Sequence, residues 1–189
     1  MKFRIFVVGT IMSAVAGSAQ ANIVTIEQIN TQQLMTSVAT LSLINWKVGD
    51  MQDSKVSLSI GMEGTMHKEA TKEEGTGIWI KNVLTLPIQS DTQELLIDRN
   101  TGKTLKYMHN GKEEQMPANN IEIIGQKNET ITVPAGTFKV THISAKSKDV
   151  QAIEIWMNPR DISLDGAAKE FLDQGMIKIT LELTSFKKQ

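Results

Sequence analysis

Three histidines, His67, His109 and His142, are the side chains of this sequence best suited to hold a metal ion or to move a proton. Their spacing matches no helix-based or short-loop ligand motif, and no pattern of neighbouring Asp or Glu residues reinforces it. The chain has no cysteine, which excludes thiolate metal sites and cysteine nucleophiles. The sequence therefore predicts no metal site and favours surface positions for the histidines, with His142 as the exception.

Catalytic motifs of other kinds are also missing from the sequence. No Gly-x-Ser-x-Gly elbow is present, and the glycines cluster at predicted turns instead of forming a phosphate-binding loop. The adjacent pairs Glu73-Glu74 and Glu113-Glu114 would point to opposite sides of a strand and could not share a proton. We therefore expect a non-enzymatic protein without a cofactor. An enzymatic function would require His109 or His142 to lie in a tight constellation with carboxylates.

A predicted hairpin positions His142. Two arms of alternating apolar and polar residues are joined at Pro134-Ala135-Gly136, where proline cannot donate to a ladder and glycine tolerates positive φ. In an unbroken strand, His142 is in register with Phe138 and Val140 and would lie on the apolar face. The alternative is a bulge that brings Ile143 to the apolar face instead.

Alternation of apolar and polar residues predicts most of the remaining chain as strands. The clearest are Lys55 to Met62 and Ile177 to Leu183, and Asn110-Gly111 is a strong signal for a two-residue turn. An antiparallel meander is the simplest arrangement of these elements. Further strands are expected near Thr40 to Trp46, Gly77 to Leu84, Glu94 to Ile97, Thr104 to Met108, Ile121 to Ile124, Phe138 to Ser144 and Ala152 to Met157.

Two short helices are expected to pack on the sheet. Thr25 and Gln28 resemble a capping box at the start of the first helix. The segment Asp165 to Gln174 has apolar residues at helical spacing, and Gly175 is placed as a C-terminal stop. The charged stretch Lys68 to Glu74 is expected to be an exposed connection within the domain.

Two tryptophans are expected on the second face of the sheet. Trp79 and Trp156 each stand between two aliphatic residues, so each should point away from the aliphatic face. A strongly curved sheet can use such an amphipathic face to line a concavity that holds an apolar ligand. Trp79, Trp156 and His142 are therefore the candidate ligand-binding residues. In the alternative interpretation, both tryptophans cover loops or pack beneath the two helices.

The first 21 residues have the features of a secretory signal. Basic residues precede an apolar run from Ile5 to about Ala16, and Ala19-Gln20-Ala21 fits the small-x-small cleavage pattern. We expect cleavage near Ala21, a periplasmic or secreted product and one domain over residues 22–189. No later apolar run approaches the roughly 20 residues of a transmembrane helix. The net charge of −1, without a long block of one sign, argues against nucleic acid as a partner.

The C-terminal half of the chain resembles uncharacterised exported bacterial proteins with a VPAGTF hairpin. The resemblance lies in Thr132 to Phe138, followed by Ile155 to Pro159 and a terminal alternating strand, and Trp46 to Asp50 is a weaker match. Such proteins are similar in fold to the LolA/LolB type, a curved half-barrel whose hollow is covered by helices and takes up acyl chains in the best-known members. The resemblance implies a mainly β chain that forms an unclosed antiparallel half-barrel with one or two short helices packed on it. It implies no catalytic residue.

Two functions from different classes fit these features. The leading hypothesis is a periplasmic, non-enzymatic protein that binds a lipid or another apolar ligand in the hollow of a curved sheet. The alternative is a structural or protein-interaction module of the cell envelope with no small ligand. In that case helices or a partner protein fill the hollow, and exposed strand edges mediate assembly.

Overall fold

The computed structural model describes residues 44–116, 121–147 and 150–189. These residues form eleven antiparallel strands in one unclosed sheet and no helix. The expected signal segment and the helix expected near Thr25 lie outside the described residues. In the described part of the chain, no helix is long and apolar enough to cross a membrane. The strands are β1 (Met51–Leu58), β2 (Glu63–Glu74), β3 (Gly77–Leu86), β4 (Gln89–Asp98), β5 (Thr104–His109), β6 (Lys112–Glu113), β7 (Glu122–Val133), β8 (Gly136–Lys146), β9 (Ala152–Met157), β10 (Ala167–Asp173) and β11 (Lys178–Lys187).

The sheet consists of two meanders that meet along one seam. β1 to β6 form one meander, β7 to β11 form the other, and β1 pairs with β11 at the centre of the sheet. The outermost strands are therefore β6 and β7. The predicted meander is confirmed, together with the strands expected at Gly77 to Leu84, Glu94 to Ile97, Thr104 to Met108, Phe138 to Ser144, Ala152 to Met157 and Ile177 to Leu183.

Both predicted turns are confirmed. Val133 pairs with Gly136 around Pro134-Ala135, which closes the β7–β8 hairpin with two residues. Asn110 and Gly111 have φ angles of 49° and 78°, the positive values that a two-residue turn between antiparallel strands requires.

The tip of the β7–β8 hairpin bends towards β11. The Ala135 N–H donates a hydrogen bond to the Leu183 carbonyl oxygen at 3.0 Å, and the rings of Phe138 and Phe186 meet edge to face at 6.0 Å. β9 and β10 lie between β8 and β11, so a flat sheet would separate those strands by about 14 Å. The direct contact therefore requires the sheet to bend at this end.

The helix expected at Asp165 to Gln174 is wrong, because this segment contains strand β10. Ala168, Glu170 and Leu172 alternate along it, and all three side chains are buried. The charged residue at the centre of this row concealed the period of two in the sequence. Gly166, with a φ of 74°, turns the chain into the strand.

Three further expectations are also wrong. The strand expected from Lys55 to Met62 ends at Leu58, and residues 59–62 form the turn into β2. Of the strand expected at Thr40 to Trp46, residues 44–46 belong to no strand, and residues 40–43 lie outside the described segments. The stretch Lys68 to Glu74 is not an exposed connection, because it forms the second half of β2 and the Lys68 side chain is buried.

One face of the sheet is apolar and buried, and two large clusters of side chains cover it. The first cluster joins residues of β1 to β3 with residues of β8 to β11, among them Val56, Met66, Leu84, Ile143, Ile155 and Ile179. The second cluster joins Trp46 and Leu164 to residues of β2 to β5, namely Ala70, Ile78, Ile80, Leu95, Ile97 and Tyr107. A third, smaller cluster near the β7–β8 turn packs against Trp156 and consists of Val133, Val140, Ile162, Ala168 and Leu183.

The connection between β9 and β10 is buried against this face. Leu164 packs in the second apolar cluster. The Ser163 hydroxyl donates to the Met51 carbonyl oxygen at 2.6 Å, and the Gln52 side-chain amide donates to the Ser163 carbonyl oxygen. These bonds attach the connection to the start of β1.

The tight fit of this connection can be tested with Gly166→Ala against the control Gly75→Ala. Both glycines have positive φ, so both substitutions carry a backbone penalty of about 1–2 kcal/mol. A Cβ at Gly166 would lie 2.3 Å from the Pro159 nitrogen, whereas a Cβ at Gly75 meets nothing within 4 Å. We expect Gly166→Ala to lower the free energy of unfolding by about 1–3 kcal/mol more than the control in urea titrations. Equal losses would contradict the packing described here.

Candidate functional site

Trp79 lies in an ion-paired cluster on the second face of the sheet. The side chain is only 5% exposed, and its indole N–H donates to Glu74 Oε2 at 2.9 Å. Lys106 donates to the other oxygen of Glu74 at 2.6 Å, and the ammonium group of Lys72 lies 5.1 Å from the indole ring. The hydrogen bonds from Lys106 and Trp79 lower the pKa of Glu74. This tryptophan is therefore held by charged neighbours within its own meander.

Trp156 and His142 lie together on the same face of the other meander. Their rings stack at 4.2 Å with an angle of 16° between the planes. The Trp156 N–H donates to Glu129 Oε1 at 2.6 Å, and His142 Nε2 lies 2.7 Å from Glu154 Oε2. Hydrogen bonds from Lys127 and Trp156 lower the pKa of Glu129. The structure thus brings together two of the three predicted site residues.

The alternative placement of Ile143 on the apolar face is correct, and it needs no bulge. Ile143 is buried in the first apolar cluster, and the pairing of β8 is regular from Phe138 to Ser144. Phe138 and Val140 do share a face with His142, as predicted, but it is the face opposite Ile143.

Trp79 does not join the other two residues. It lies on β3, whereas Trp156 lies on β9, and five strand spacings separate the two strands in the sheet. In a flat sheet this would be about 24 Å. The three predicted residues therefore form two separate clusters.

The cluster around His142 meets the geometric condition stated for an enzyme, yet its arrangement lacks essential parts. Glu129 Oε1 lies 3.0 Å from Nδ1 and Glu154 lies at Nε2, so the carboxylates stand on opposite sides of the ring and cannot converge on one metal ion. Among the described residues, no group of three His, Asp or Glu side chains could hold a metal. The Ser144 hydroxyl donates its proton to Glu154 at 2.6 Å. It therefore does not donate to His142, as a serine nucleophile activated by a histidine base would.

The other two histidines also lie beside carboxylates. His67 Nδ1 is 2.7 Å from Asp53 Oδ1, and His109 Nε2 is 2.6 Å from Asp91 Oδ1. The His67 side chain is partly exposed, as expected of a surface position, whereas the His109 side chain is mostly buried. The three histidines lie on β2, β5 and β8 and each has its own acidic partner.

Sequence reasoning missed the most unusual feature of the apolar face, a buried ion-paired triad. Lys68 on β2 donates to Asp165 Oδ2 at 2.7 Å and to Glu170 Oε1 at 2.9 Å. Burial alone would lower the pKa of Lys68, but the two carboxylates outweigh that effect and raise it. Burial raises the pKa of Glu170, although the ammonium group of Lys68 opposes the shift.

A row of polar side chains extends from this triad across the apolar face. The register pairs Gln52 with Lys68, Lys68 with Asn82, Asn82 with Gln93, and Gln93 with His109 on five neighbouring strands. Directly paired residues have Cβ atoms about 5 Å apart. We call these five residues the polar row.

The polar row separates the two apolar clusters. On β2, Met66 belongs to the first cluster and Ala70 to the second, with Lys68 between them. On β3, Asn82 takes the same place between Leu84 and Ile80. The signal that could have revealed the row is a polar residue at an inward position of a strand whose other inward residues are apolar.

Three oxygens of this region are buried without a hydrogen-bond donor from the protein. They are Asn82 Oδ1, Gln93 Oε1 and Glu170 Oε2. The other end of the Gln93 amide donates to the Tyr107 hydroxyl at 3.1 Å, and the other Glu170 oxygen accepts from Lys68. Buried polar atoms are rarely left unpaired, and all three of these are acceptors. These acceptors can take hydrogen bonds from a buried water or from another donor-bearing group.

Comparison with known proteins adds no functional assignment. No family model matches the sequence, and no curated protein matches it. The resemblance to exported proteins with a VPAGTF hairpin therefore stays a prediction.

The triad can be tested with Lys68→Met against Lys55→Met, which removes a lysine from an exposed ion pair with Glu63. Loss of the Lys68 ammonium leaves two buried carboxylates without a counter-charge, which we expect to reduce the free energy of unfolding by about 3–5 kcal/mol. The control should lose about 1 kcal/mol or less. Adding Asp165→Asn and Glu170→Gln to Lys68→Met should restore much of the loss. Similar unfolding curves for Lys68→Met and Lys55→Met would show that the Lys68 ammonium group is not needed to stabilise the two buried carboxylates.

Glu170→Gln tests the pH dependence of the triad. Because burial raises the pKa of Glu170, its contribution to stability is fully present below the usual value of 4.5 and is lost as the pH rises through the raised value. The wild type should therefore lose stability, relative to Glu170→Gln, from about pH 4.5 upwards. Thermal unfolding across a pH series measures the difference between the two curves. A constant difference at all pH values would contradict the raised pKa.

Proposed function

We propose that this chain is an exported, non-enzymatic protein that binds an amphipathic ligand on the apolar face of a half-barrel. The observation that carries the proposal is the set of three unpaired oxygens, Asn82 Oδ1, Gln93 Oε1 and Glu170 Oε2, which lie between two apolar clusters. A ligand with an apolar body and a donor-bearing head would match both parts of this face.

The half-barrel shape is supported by contacts across the apolar face. Lys68 on β2 reaches Glu170 on β10 directly, although β1 and β11 lie between these strands. In a flat sheet, β2 and β10 would be about 14 Å apart. Side chains stand roughly perpendicular to a sheet, so in a flat sheet these two could not turn towards each other across that distance. Their contact supports a sheet that is concave on its apolar face.

The head group of the ligand is expected to donate hydrogen bonds. An ionised carboxylate only accepts them, and it would face three further acceptors, one of them on Glu170. Hydroxyl, amide and ammonium groups can donate to these oxygens. We therefore propose a ligand such as a monoacylglycerol or a fatty amide in preference to an ionised fatty acid.

The location and the lack of enzymatic activity rest on sequence features. The pattern of residues 1–21 supports export, and the periplasm or the extracellular medium is the proposed location. The proposal of a non-enzymatic function rests on the lack of a recognised catalytic motif in the sequence.

A second candidate function is a protein-interaction module that uses the edge strand β7. This strand is twelve residues long, lies at the edge of the sheet and exposes most of its side chains, including Ile124. Exposed edges of this length can add a strand from a partner. The bulge between Ile123 and Gly125 interrupts the edge near its start.

The binding proposal is tested with Asn82→Leu against Asn128→Leu, a substitution of the same size at an exposed position on β7. We expect Asn82→Leu to preserve or raise the free energy of unfolding, by about 1–3 kcal/mol, because it removes a buried unpaired oxygen. The same variant should bind a fluorescent monoacylglycerol about tenfold more weakly, because one hydrogen-bond partner is lost. The Asn128→Leu variant should bind like the wild type.

Lipid mass spectrometry of the natively purified protein provides an independent measurement. The binding proposal fails if no lipid co-purifies and neither the monoacylglycerol nor the fatty acid binds saturably. Crosslinking to an envelope protein that is lost when β7 is altered by Ile124→Lys would then favour the second function.

A further inference from the structure

Three neighbouring hairpin turns lie at one end of the sheet. Residues 59–62 join β1 to β2, residues 87–88 join β3 to β4, and residues 174–177 join β10 to β11. Because all strands are antiparallel and β1 pairs with β11, these turns project from the same end in consecutive order. The Ser59 N–H donates to the Lys178 carbonyl oxygen at 2.9 Å, which ties two of the turns together.

Each of these turns exposes one large apolar side chain. The exposed fractions are 53% for Ile60, 62% for Ile88 and 93% for Met176. We call these three residues the apolar tips. At the opposite end, two hairpin turns of the first meander, Gly75-Thr76 and residues 99–103, consist of polar residues and glycine, and the β7–β8 turn holds Pro134 and Ala135. Most turns are polar, so an exposed apolar residue in each of three adjacent turns is unusual.

The apolar tips are continuous with the first apolar cluster. Met62 and Ile177, from two of the same turns, pack against that cluster and are only partly buried. An apolar path therefore runs from the exposed tips to the buried face of the sheet.

Two lysines beside the apolar tips are paired with acids. Lys55 lies 2.6 Å from Glu63, and Lys178 lies 3.2 Å from Asp173. The surface around the tips therefore carries no cluster of unpaired positive charge among these residues. Attraction to anionic lipids would require such a cluster.

We propose that the apolar tips insert into the interfacial layer of a lipid bilayer. Adjacent turns are two strand spacings apart, about 10 Å, so each tip stands alone and the three do not form one contiguous patch. Three separated side chains can each insert into the bilayer interface independently. A single groove on a partner protein would fit one contiguous patch better. Because the flanking charges are paired, association with neutral lipids is expected, and it should be reversible. The inference does not depend on the ligand proposed for the polar row.

The test measures binding of the full chain to phosphatidylcholine vesicles by co-sedimentation. Ile60→Ser, Ile88→Ser and Met176→Ser should each lower the partition coefficient by about tenfold, because each removes one buried apolar side chain from the lipid. The matched control is the pair Val48→Ser and Leu105→Ser, which removes exposed apolar residues near the opposite end and should leave binding unchanged. Raising the salt from about 0.05 M to about 0.5 M should change binding little.

Insertion is located directly with Ile88→Trp. Brominated phosphatidylcholine should quench the added fluorescence, and unchanged fluorescence would overturn the proposal. Absence of wild-type binding to the vesicles, or an equal loss in the control pair, would also overturn it. A dimer in analytical ultracentrifugation that disappears when the tips are replaced would show that they contact a second copy of the chain and not lipid. Loss of vesicle binding in the tip variants with normal ligand binding would separate this surface from the polar row.

Discussion

The ammonium group of Lys68 lies between the carboxylates of Asp165 and Glu170 on the apolar face of the sheet. One cation with two acids in a buried setting favours keeping all three groups in contact, because any one of them alone would be a buried charge without a partner. Burial raises the pKa of Glu170, and the negative charge of Asp165 adds to this shift. This contact also joins β2 of one meander to β10 of the other, and it fixes the connection that carries Asp165.

The same contact divides the interior into regions of different chemistry. The polar row extends from Lys68 through Asn82 to Gln93, and an apolar cluster lies on either side of it. A core built only for stability would fill these positions with aliphatic side chains, because unpaired buried oxygens are destabilising. The row is therefore the part of the interior where stability and a binding function would make opposite demands.

Most of the strands could be predicted from the sequence because their side chains alternate and their turns use residues suited to positive φ. The β7–β8 hairpin and the turn at Asn110-Gly111 are examples. β10 was predicted as a helix because its apolar residues also have helical spacing. Its period of two is hidden by the inward-facing Glu170, whose partner, Lys68, lies 102 residues away in the chain. The clustering of His142 with Trp156 depends on the pairing of β8 with β9, which alternation alone does not specify.

The pairing of the site residues was therefore less predictable than the elements that carry them. Trp79 and Trp156 were both placed on the second face by alternation, and the structure has them there. Alternation gives the face of a residue but not the strand beside it, so it could not show that the two indoles lie in different meanders. For the same reason, the sequence did not indicate that Asn82 and Gln93 stand side by side.

The seam between β1 and β11 has a consequence for the order in which the fold can form. Val56 pairs with Leu181, and the Gln189 N–H donates to Asp50 Oδ1 at 2.7 Å, so contacts at the centre of the sheet join residues more than a hundred positions apart. Each meander can form from local hairpins, but the sheet becomes continuous only after β11 emerges. Long-range pairing of this kind slows folding. During synthesis, the apolar face is therefore incomplete until the last strand is available, and a chain cut before β11 would leave two half-sheets with unprotected edges.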